Sequence, residues 1–299
     1  MKDEAPVRPS GRIIGLSLAV LILVWGSTWS VIRISLEGFP PMTGLAIRFS
    51  IASIVLLALA LAKGVRLGRE PRERWLWLIQ ATTTFGIPYG IVFWAEQWVP
   101  SGLVAVLFAT FPLFVIPVGW IFLPEEKVGP WALFGILLGF GGVAVIFSDN
   151  LSLGSPQVLI PAALTLLSPF FAAFGQVSAK RWGKGIHSFS LASIPMGLAA
   201  IGVGVMAFIF ERHEQILWEP RPIIAMIYLS LFGSVLTFSI FYWLLNHLAS
   251  FQISLVTYCT PVVAVTIGTL FFDEPLTLRM LLGSTLVLCG VLFAARPKS

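Results

Sequence analysis

Ten apolar runs set the terms for this chain. They cover residues 13–35, 42–62, 75–97, 102–123, 130–147, 158–179, 188–210, 222–245, 251–272 and 277–295. A bilayer core about 30 Å thick needs roughly 20 apolar residues per helix, and every run comes close to that length. Only short polar connections separate them. The sequence therefore predicts an all-α polytopic membrane protein of ten transmembrane helices, with no soluble domain left over. Composition agrees, with 57% of residues hydrophobic and 11% charged, too few polar groups to cover a water-soluble globule of this size. The lipid bilayer is thus the first expected partner.

The first run reads as a retained span rather than a cleaved signal. It is long, Asp3 and Glu4 precede it, and no small-residue cleavage site follows. Cys259 and Cys289 both fall inside spans and read as buried thiols. The net charge of +5 has a topological explanation. With the amino terminus in the cytoplasm, inner segments carry 14 of the 19 basic residues, while Arg33, Arg212, Arg221 and Arg279 fall outside and Arg48 within helix 2. This positive-inside bias places both termini in the cytoplasm and makes a nucleic-acid partner unnecessary.

The chain also repeats itself. F-W-A-E-Q-W-V-P-S-G-L-V-A-V-L-F-A-T-F-P (93–112) aligns without gaps with Y-W-L-L-N-H-L-A-S-F-Q-I-S-L-V-T-Y-C-T-P (242–261), matching Trp94 to Trp243, Ser101 to Ser250 and Pro112 to Pro261. After one gap Glu126 meets Glu274, Gly135 meets Gly283 and Gly142 meets Gly290. More weakly, I-R-I-S-L-E-G ends helix 1 where A-K-R-W-G-K-G ends helix 6. The expected halves are 1–148, a five-helix repeat with its cytoplasmic tail, and 149–299, a second repeat. Five helices per half is an odd number, so the second half enters the membrane from the other side. Inverted repeats place a substrate site near mid-membrane where the halves meet.

W-G-S-T-W in helix 1, the arginine of I-R-F in helix 2, and the paired L-P-E-E-K and F-F-D-E-P-L turns before G-x6-G helices resemble the EamA-type transporters of the drug/metabolite transporter superfamily. The resemblance spans essentially the whole chain. It implies a ten-helix basket around a central cavity, with helices 5 and 10 peripheral. Within that family the chain looks most like the YddG-type exporters of aromatic and other neutral amino acids. Related members move sugars, nucleosides, cysteine metabolites or cationic drugs, so those classes stand as the alternative. Export, rather than uptake, is implied by the resemblance alone.

Several residues could line such a cavity. Trp25, Thr28, Trp29 and Ile32 share one helix face, with Gly26 beside them for close backbone approach. Packing accounts for Gly26 and Ser30. It accounts poorly for two tryptophans away from the interface, which read as pocket lining. Trp75, Trp77, Trp98, Trp131, Trp182 and Trp218 sit at span ends as an interfacial belt, and Trp94 and Trp243 read as belt or packing. Helix 3 carries Phe85, Gly86, Tyr89, Phe93 and Glu96 along one stripe; the equivalent stripe of helix 8 holds Ser234, Val235, Phe238, Tyr242 and Leu245. Each stripe is either a cavity wall or an aromatic seam. Pro88, Pro112, Pro169 and Pro261 lie inside helices and free backbone carbonyls there, as hinges or as simple kinks. They bring Phe111, Tyr258 and Thr260 forward as site residues, with Ser168 and Gln176 the polar candidates of helix 6.

Ionisable groups are scarce. Arg48 and Glu96 fall at similar depths and suit an ion pair, or Arg48 snorkels; the sharper reading is that Arg48 attracts a substrate carboxylate. No Asp, Glu or His stands at the middle of a span, so a facilitated carrier is as open as a proton antiporter. Glu126 and Glu274 complement the helix dipoles that follow them. The chain has no H-E-x-x-H, no G-x-S-x-G and no paired mid-span aspartates. It therefore reads as no enzyme, with no metal and no cofactor. The expected function is a bacterial inner-membrane secondary transporter that exports neutral, aromatic amino acids or related small molecules by alternating access. A channel is the competing class, separable by non-saturating flux. The sequence leaves the oligomeric state open.

Overall fold

Prolines open many of the helices. Pro41, Pro71, Pro130, Pro156 and Pro220 occupy first helical positions, where the missing N–H costs no hydrogen bond and φ is already helical. The computed structural model describes residues 9–99, 101–146, 148, 156–271 and 277–294; Glu274 and both chain ends lie outside them. The elements are α1 (Gly11–Leu36), α2 (Pro41–Ala62), α3 (Pro71–Gln80), α4 (Ile87–Ala95), α5 (Ser101–Phe108), α6 (Phe111–Phe122), α7 (Pro130–Ile146), α8 (Pro156–Thr165), α9 (Leu167–Trp182), α10 (Ser188–Phe210), α11 (Pro220–Ser230), α12 (Thr237–Leu245), α13 (Ser250–Ser254), α14 (Val256–Phe271) and α15 (Leu278–Ala294). Among the described residues no strand occurs.

Several of these join end to end into longer rods. Among the described residues seven rods are long and apolar enough to cross a membrane: Gly11–Leu36, Pro41–Ala62, Pro71–Ala95, Leu103–Phe122, Val158–Trp182, Ser188–Phe210 and Pro220–Leu245. Three shorter apolar helices accompany them, Pro130–Ile146, Ser250–Val263 and Leu278–Ala294. Large apolar side chains such as Leu16, Ile121, Phe208 and Leu292 are exposed on the outside, as a lipid-facing surface requires.

The rods break where backbone hydrogen bonding is disturbed. A short turn at Ala109 and Thr110 precedes Pro112, another at Leu166 precedes Pro169, and a third at Leu255 lies ahead of Pro261. Pro88 stands at the second position of α4, one residue beyond a π-helical stretch, Ala81–Gly86. A second π-helical stretch, Leu231–Leu236, sits between α11 and α12 without any proline, and nothing in the sequence announces it.

Close backbone approach fixes which helices touch. α2 lies along α10, α7 along α15, α1 along α14, and α6 along α9. At the α7–α15 contact a Cβ on Gly142 would stand 2.6 Å from the Gly283 carbonyl oxygen, and Gly135 meets Gly290 in the same way. Small residues let helices approach to backbone contact in lipid, where no hydrophobic effect drives them together. Polar contacts gather at the two ends of the bundle. At one end Arg72 donates to the Lys184 carbonyl at 3.3 Å. At the other, Glu211 accepts from the N–H groups of Met42 and Thr43 at 2.8 and 2.7 Å, capping α2, and Leu217 N–H reaches the Gly38 carbonyl at 2.8 Å.

Candidate functional site: a central aromatic cavity

Six helical segments enclose a cleft of about 850 Å³, its open mouth included. α1 supplies Trp25, Thr28, Trp29 and Ile32; the α3–α4 rod supplies Thr84, Pro88, Tyr89 and Val92. Phe108 and Phe111 come from α5 and α6, Ala172 and Gln176 from α9. Phe238 and Phe241 of α12 and Ile253, Thr257 and Thr260 of α13 and α14 complete the wall. None of these is an Asp, Glu, Lys or Arg.

Helical spacing explains the gathering. Trp25, Thr28, Trp29 and Ile32 follow i, i+3, i+4, i+7, and Ile253, Thr257 and Thr260 follow i, i+4, i+7. Gly26 lets α1 cross α14 so closely that an added Cβ would sit 2.6 Å from Val263 Cβ. Inside, Trp25 packs against Phe238 and Phe241 with ring centroids 5.6 and 5.7 Å apart. Trp29 meets Phe108 edge-on at 5.8 Å. The threonine hydroxyls donate within their own helices, Thr28 to Trp25 O at 2.7 Å, Thr257 to Ser254 O at 2.7 Å and Thr260 to Thr257 O at 3.0 Å. Their oxygens keep lone pairs free to accept. The indole N–H groups of Trp25 and Trp29 and Oε1 of Gln176 are buried without a partner.

One end of the cavity has a polar floor. Gln176 Nε2 donates to the Ser250 carbonyl at 2.7 Å. One helical turn on, Lys180 Nζ donates to the carbonyls of Leu245 and Leu248 at 2.7 and 2.9 Å and lies 3.7 Å from Glu126 Oε1. Glu126 Oε2 accepts from Ser250 N–H at 2.7 Å. Burial pushes the Glu126 carboxyl above its usual range, while the Ser250 N–H and Lys180 pull it back. The contacts tie α9 and the α6–α7 turn to the α12–α13 junction, so Glu126 does more than face a helix dipole.

Of the residues expected to bind substrate, Trp25, Thr28, Trp29, Tyr89, Phe111, Gln176, Phe238 and Thr260 stand on the cavity wall, with Pro88 beside them. Six others lie behind it. Phe85 is wedged edge-on between Phe49 and Phe238 at 5.5 and 4.8 Å. Tyr242 points away and donates to Gln80 Oε1 at 2.8 Å. Gln80 also accepts from Thr84 and donates to Gly175 O and Ser178 Oγ. Ser168 satisfies the Pro88 carbonyl at 3.1 Å. Tyr258 is fully buried and faces Gly139 of α7.

Arg48 is 1% exposed and is not paired with Glu96. Its Nε donates to Ser234 Oγ at 2.9 Å and Nη2 to the Gly233 carbonyl at 3.1 Å, inside the second π-helical stretch. That widened turn leaves a carbonyl without its ordinary helical donor, and the guanidinium fills the gap. The guanidinium carbon also lies 5.0 Å above the Tyr89 ring and 5.8 Å from that of Phe93, which sits beneath it rather than on the cavity. Glu96 is buried with neither carboxylate oxygen hydrogen-bonded. Thr84, Val92, Phe108, Ala172, Phe241, Ile253 and Thr257 escaped the sequence reading; Thr257 was recoverable from its helical spacing to Thr260.

The tryptophans at span ends divide. Trp75, Trp98, Trp131 and Trp218 are exposed, whereas Trp77 donates to Ser190 Oγ at 3.0 Å. Among the described residues no group of three His, Cys, Asp or Glu side chains is placed to hold a metal.

The model of the EamA-like transporter family matches residues 13–148 and again 159–296. The chain belongs to the EamA-like transporter family. Relatives of similar length fit the membership. It is 31% identical to the uncharacterized inner membrane transporter YedA of Escherichia coli strain K12, over 87% of this chain and 83% of that one. It is 26% identical to the uncharacterized transporter YvbV of Bacillus subtilis strain 168, over 92% and 89% of the two chains. A solved crystal structure shares the fold with a TM-score of 0.80 over 96% of this chain and 97% of the other, at 19% identity. Membership makes the chain a membrane transporter.

Proposed function

We propose that this EamA-family transporter exports neutral amino acids with aromatic side chains, by alternating access, across the bacterial inner membrane. The observation that carries the reading is the wall of the central cavity. Among the described residues it offers aromatic faces, threonine oxygens and one amide, and no ionised side chain. A net charge entering that site would lose water with nothing to replace it, whereas a zwitterion carries its own compensation. An aromatic side chain fits the tilted rings of Trp25, Phe238 and Phe241. The unpartnered Gln176 Oε1 and the threonine oxygens suit an ammonium group.

Ten spans in two inverted five-helix halves, 1–148 and 149–299, complete the proposal, with both termini in the cytoplasm. The double match of the family model and the π-helical stretches at corresponding places in the two halves support it. In that topology the Lys180 floor closes the cytoplasmic end of the cavity. The broken rods at Pro88, Pro112, Pro169 and Pro261 are the places where the halves hinge. The relative named as an inner membrane transporter supports the location.

The test is flux into vesicles that hold the purified protein. Labelled tryptophan, phenylalanine, methionine and threonine are offered against competing nucleosides, sugars and organic cations. Saturable transport of phenylalanine and tryptophan is expected. Movement of the cations alone, or non-saturating flux, sinks the reading.

A further inference from the structure

The two ends of the cavity are built from matching parts, and in this structure one set is assembled and the other is not. At the assembled end Lys180 bridges the Leu245 and Leu248 carbonyls and Glu126. The internal repeat puts Arg33 at the place of Lys180, Glu96 at that of Leu245 and Val99 at that of Leu248. Arg33 is exposed, with no hydrogen bond or ion pair among the described residues. Glu96, the residue that follows the span Pro71–Ala95, is 2% exposed. Neither of its carboxylate oxygens has a hydrogen-bond partner.

An ionised carboxylate so placed would lack both water and donors, a situation that costs several kcal/mol or more. The site as built suits the neutral acid. We propose that Glu96 is a proton-binding site that couples transport to proton movement, with Arg33 as the cation that pairs with the carboxylate once the proton leaves. The inference rests on the alternating-access reading above.

The internal repeat marks Arg33 as the partner, in a neighbourhood of Glu96 that holds few charges. The rods packed on α4 are α2, α8, α9 and the π-helical stretch Ala81–Gly86. From α2 comes Arg48, whose Nε and Nη2 are engaged with Ser234 and Gly233 and whose Nη1 is buried without a partner, the guanidinium lying over the Tyr89 and Phe93 rings. The described residues of α8 and of Ala81–Gly86 carry no titratable group, and those of α9, Lys180 and Arg181, stand at its far end. Arg33 lies on α1 one turn beyond the cavity residue Trp29, at the place that Lys180 holds in the other half. Glu96 itself is one turn beyond the cavity residue Val92.

The cycle that follows keeps protons balanced. In the state seen here Glu96 holds a proton taken from the outer side. When the outer end closes, the Glu96 O–H bond breaks, the proton passes to water in the cavity and leaves toward the cytoplasm. The carboxylate then accepts N–H groups of Arg33, as carbonyls accept from Lys180 at the other end. Reopening breaks the pair and Glu96 takes up a new proton. Each turn carries one proton inward as one substrate goes out.

Vesicles containing the full chain, with the lumen one pH unit more acidic than the medium and the voltage clamped, test this with labelled phenylalanine. The wild type should concentrate phenylalanine in the lumen about tenfold, the equilibrium ratio for one proton per substrate. Glu96→Gln should exchange phenylalanine across the membrane yet fail to concentrate it, and Glu96→Asp should recover part of the concentrating. If Glu96→Gln does not fold, Arg33→Gln carries the test, since the neutral acid then has no cation to displace its proton. A wild type that equilibrates phenylalanine whatever the gradient overturns the inference and leaves the proposed function intact. So does concentrating by either glutamine variant. A wild type that moves no phenylalanine at all overturns both.

Discussion

Gly26 of α1 meets Val263 of α14 so closely that a Cβ on the glycine would lie 2.6 Å from that of the valine, and 3.1 Å from the Thr260 carbonyl. This crossing aims Trp25 and Trp29 at the cavity. Gly26→Ala should therefore lower the thermal midpoint of the detergent-purified protein, since overpacking costs about 1–3 kcal/mol. Val263→Ala in the same chain should restore most of the loss. A single variant as stable as the wild type would show that the helices do not touch there.

Trp25 and Trp29 form the aromatic wall with Phe238, Phe241 and Phe108. Replacing either tryptophan by Ala should cut phenylalanine flux roughly tenfold, the effect of about 1.4 kcal/mol of lost aromatic contact. Trp25→Phe, which keeps a ring but no N–H, should fall between. Unaltered saturation curves in both alanine variants would remove these residues from the site.

Arg48 separates structural from substrate roles. Its hydrogen bonds to Ser234 and Gly233 predict that Arg48→Met destabilises the fold by about 1.5–3 kcal/mol, the range for bonds to a charged group. Arg48→Lys should fare little better, because an ammonium cannot span both acceptors as the guanidinium fork does. Thermal unfolding without substrate reads this directly. A variant of full stability with weakened substrate affinity would return Arg48 to carboxylate recognition.

Periodicity read the α1 face well, because the spacing of Trp25, Thr28, Trp29 and Ile32 holds in any straight helix. It put Arg48 level with Glu96, whereas the guanidinium stands over Tyr89 and Phe93 of the preceding turns. What it could not see was rotation about the helix axis. The π-helical stretches at Ala81–Gly86 and Leu231–Leu236 turn the later residues of each rod relative to the earlier ones. They carry Phe85 and Tyr242 off the cavity and Phe241 onto it, and they create the carbonyl that Arg48 occupies. Tyr258 failed for another reason. It shares a helix with Thr260, but two residues apart is about 200° around the axis, so one faces the cavity and the other α7.

His187 predicts a pH dependence outside the membrane spans. Its Nδ1 accepts from Phe189 N–H at 3.1 Å and caps α10. Burial, and then the nearby Lys63, lower its affinity for a proton below the ordinary histidine value. The folded protein thus prefers the neutral ring, and protons bind the unfolded chain more readily. Stability from this group is complete above the unfolded pKa of about 6.5 and is lost as pH falls through the lower folded value. Lowering the pH from about 7.5 to about 5 should reduce the thermal midpoint, and His187→Asn, which keeps a capping oxygen, should reduce that dependence. An unchanged pH slope in the asparagine variant would place the acid sensitivity elsewhere.

The Lys180 floor makes the last prediction. Lys180→Met removes the bonds to Leu245 and Leu248 and the attraction to Glu126 while keeping most of the apolar stem. The Gln176–Ser250 bond then holds that end with less help. A cysteine placed at Thr257 of the cavity wall, with Cys259 and Cys289 replaced by Ser, reports how often the floor opens. A membrane-impermeant maleimide applied from the Lys180 side should label it about tenfold faster in the methionine variant, the shift expected for ~1.4 kcal/mol of lost preference for the closed floor. Labelling from the opposite side should slow in step, because the two openings exclude one another in an alternating-access cycle. Faster labelling from both sides at once would instead mean that the floor holds the fold together rather than gating the cavity.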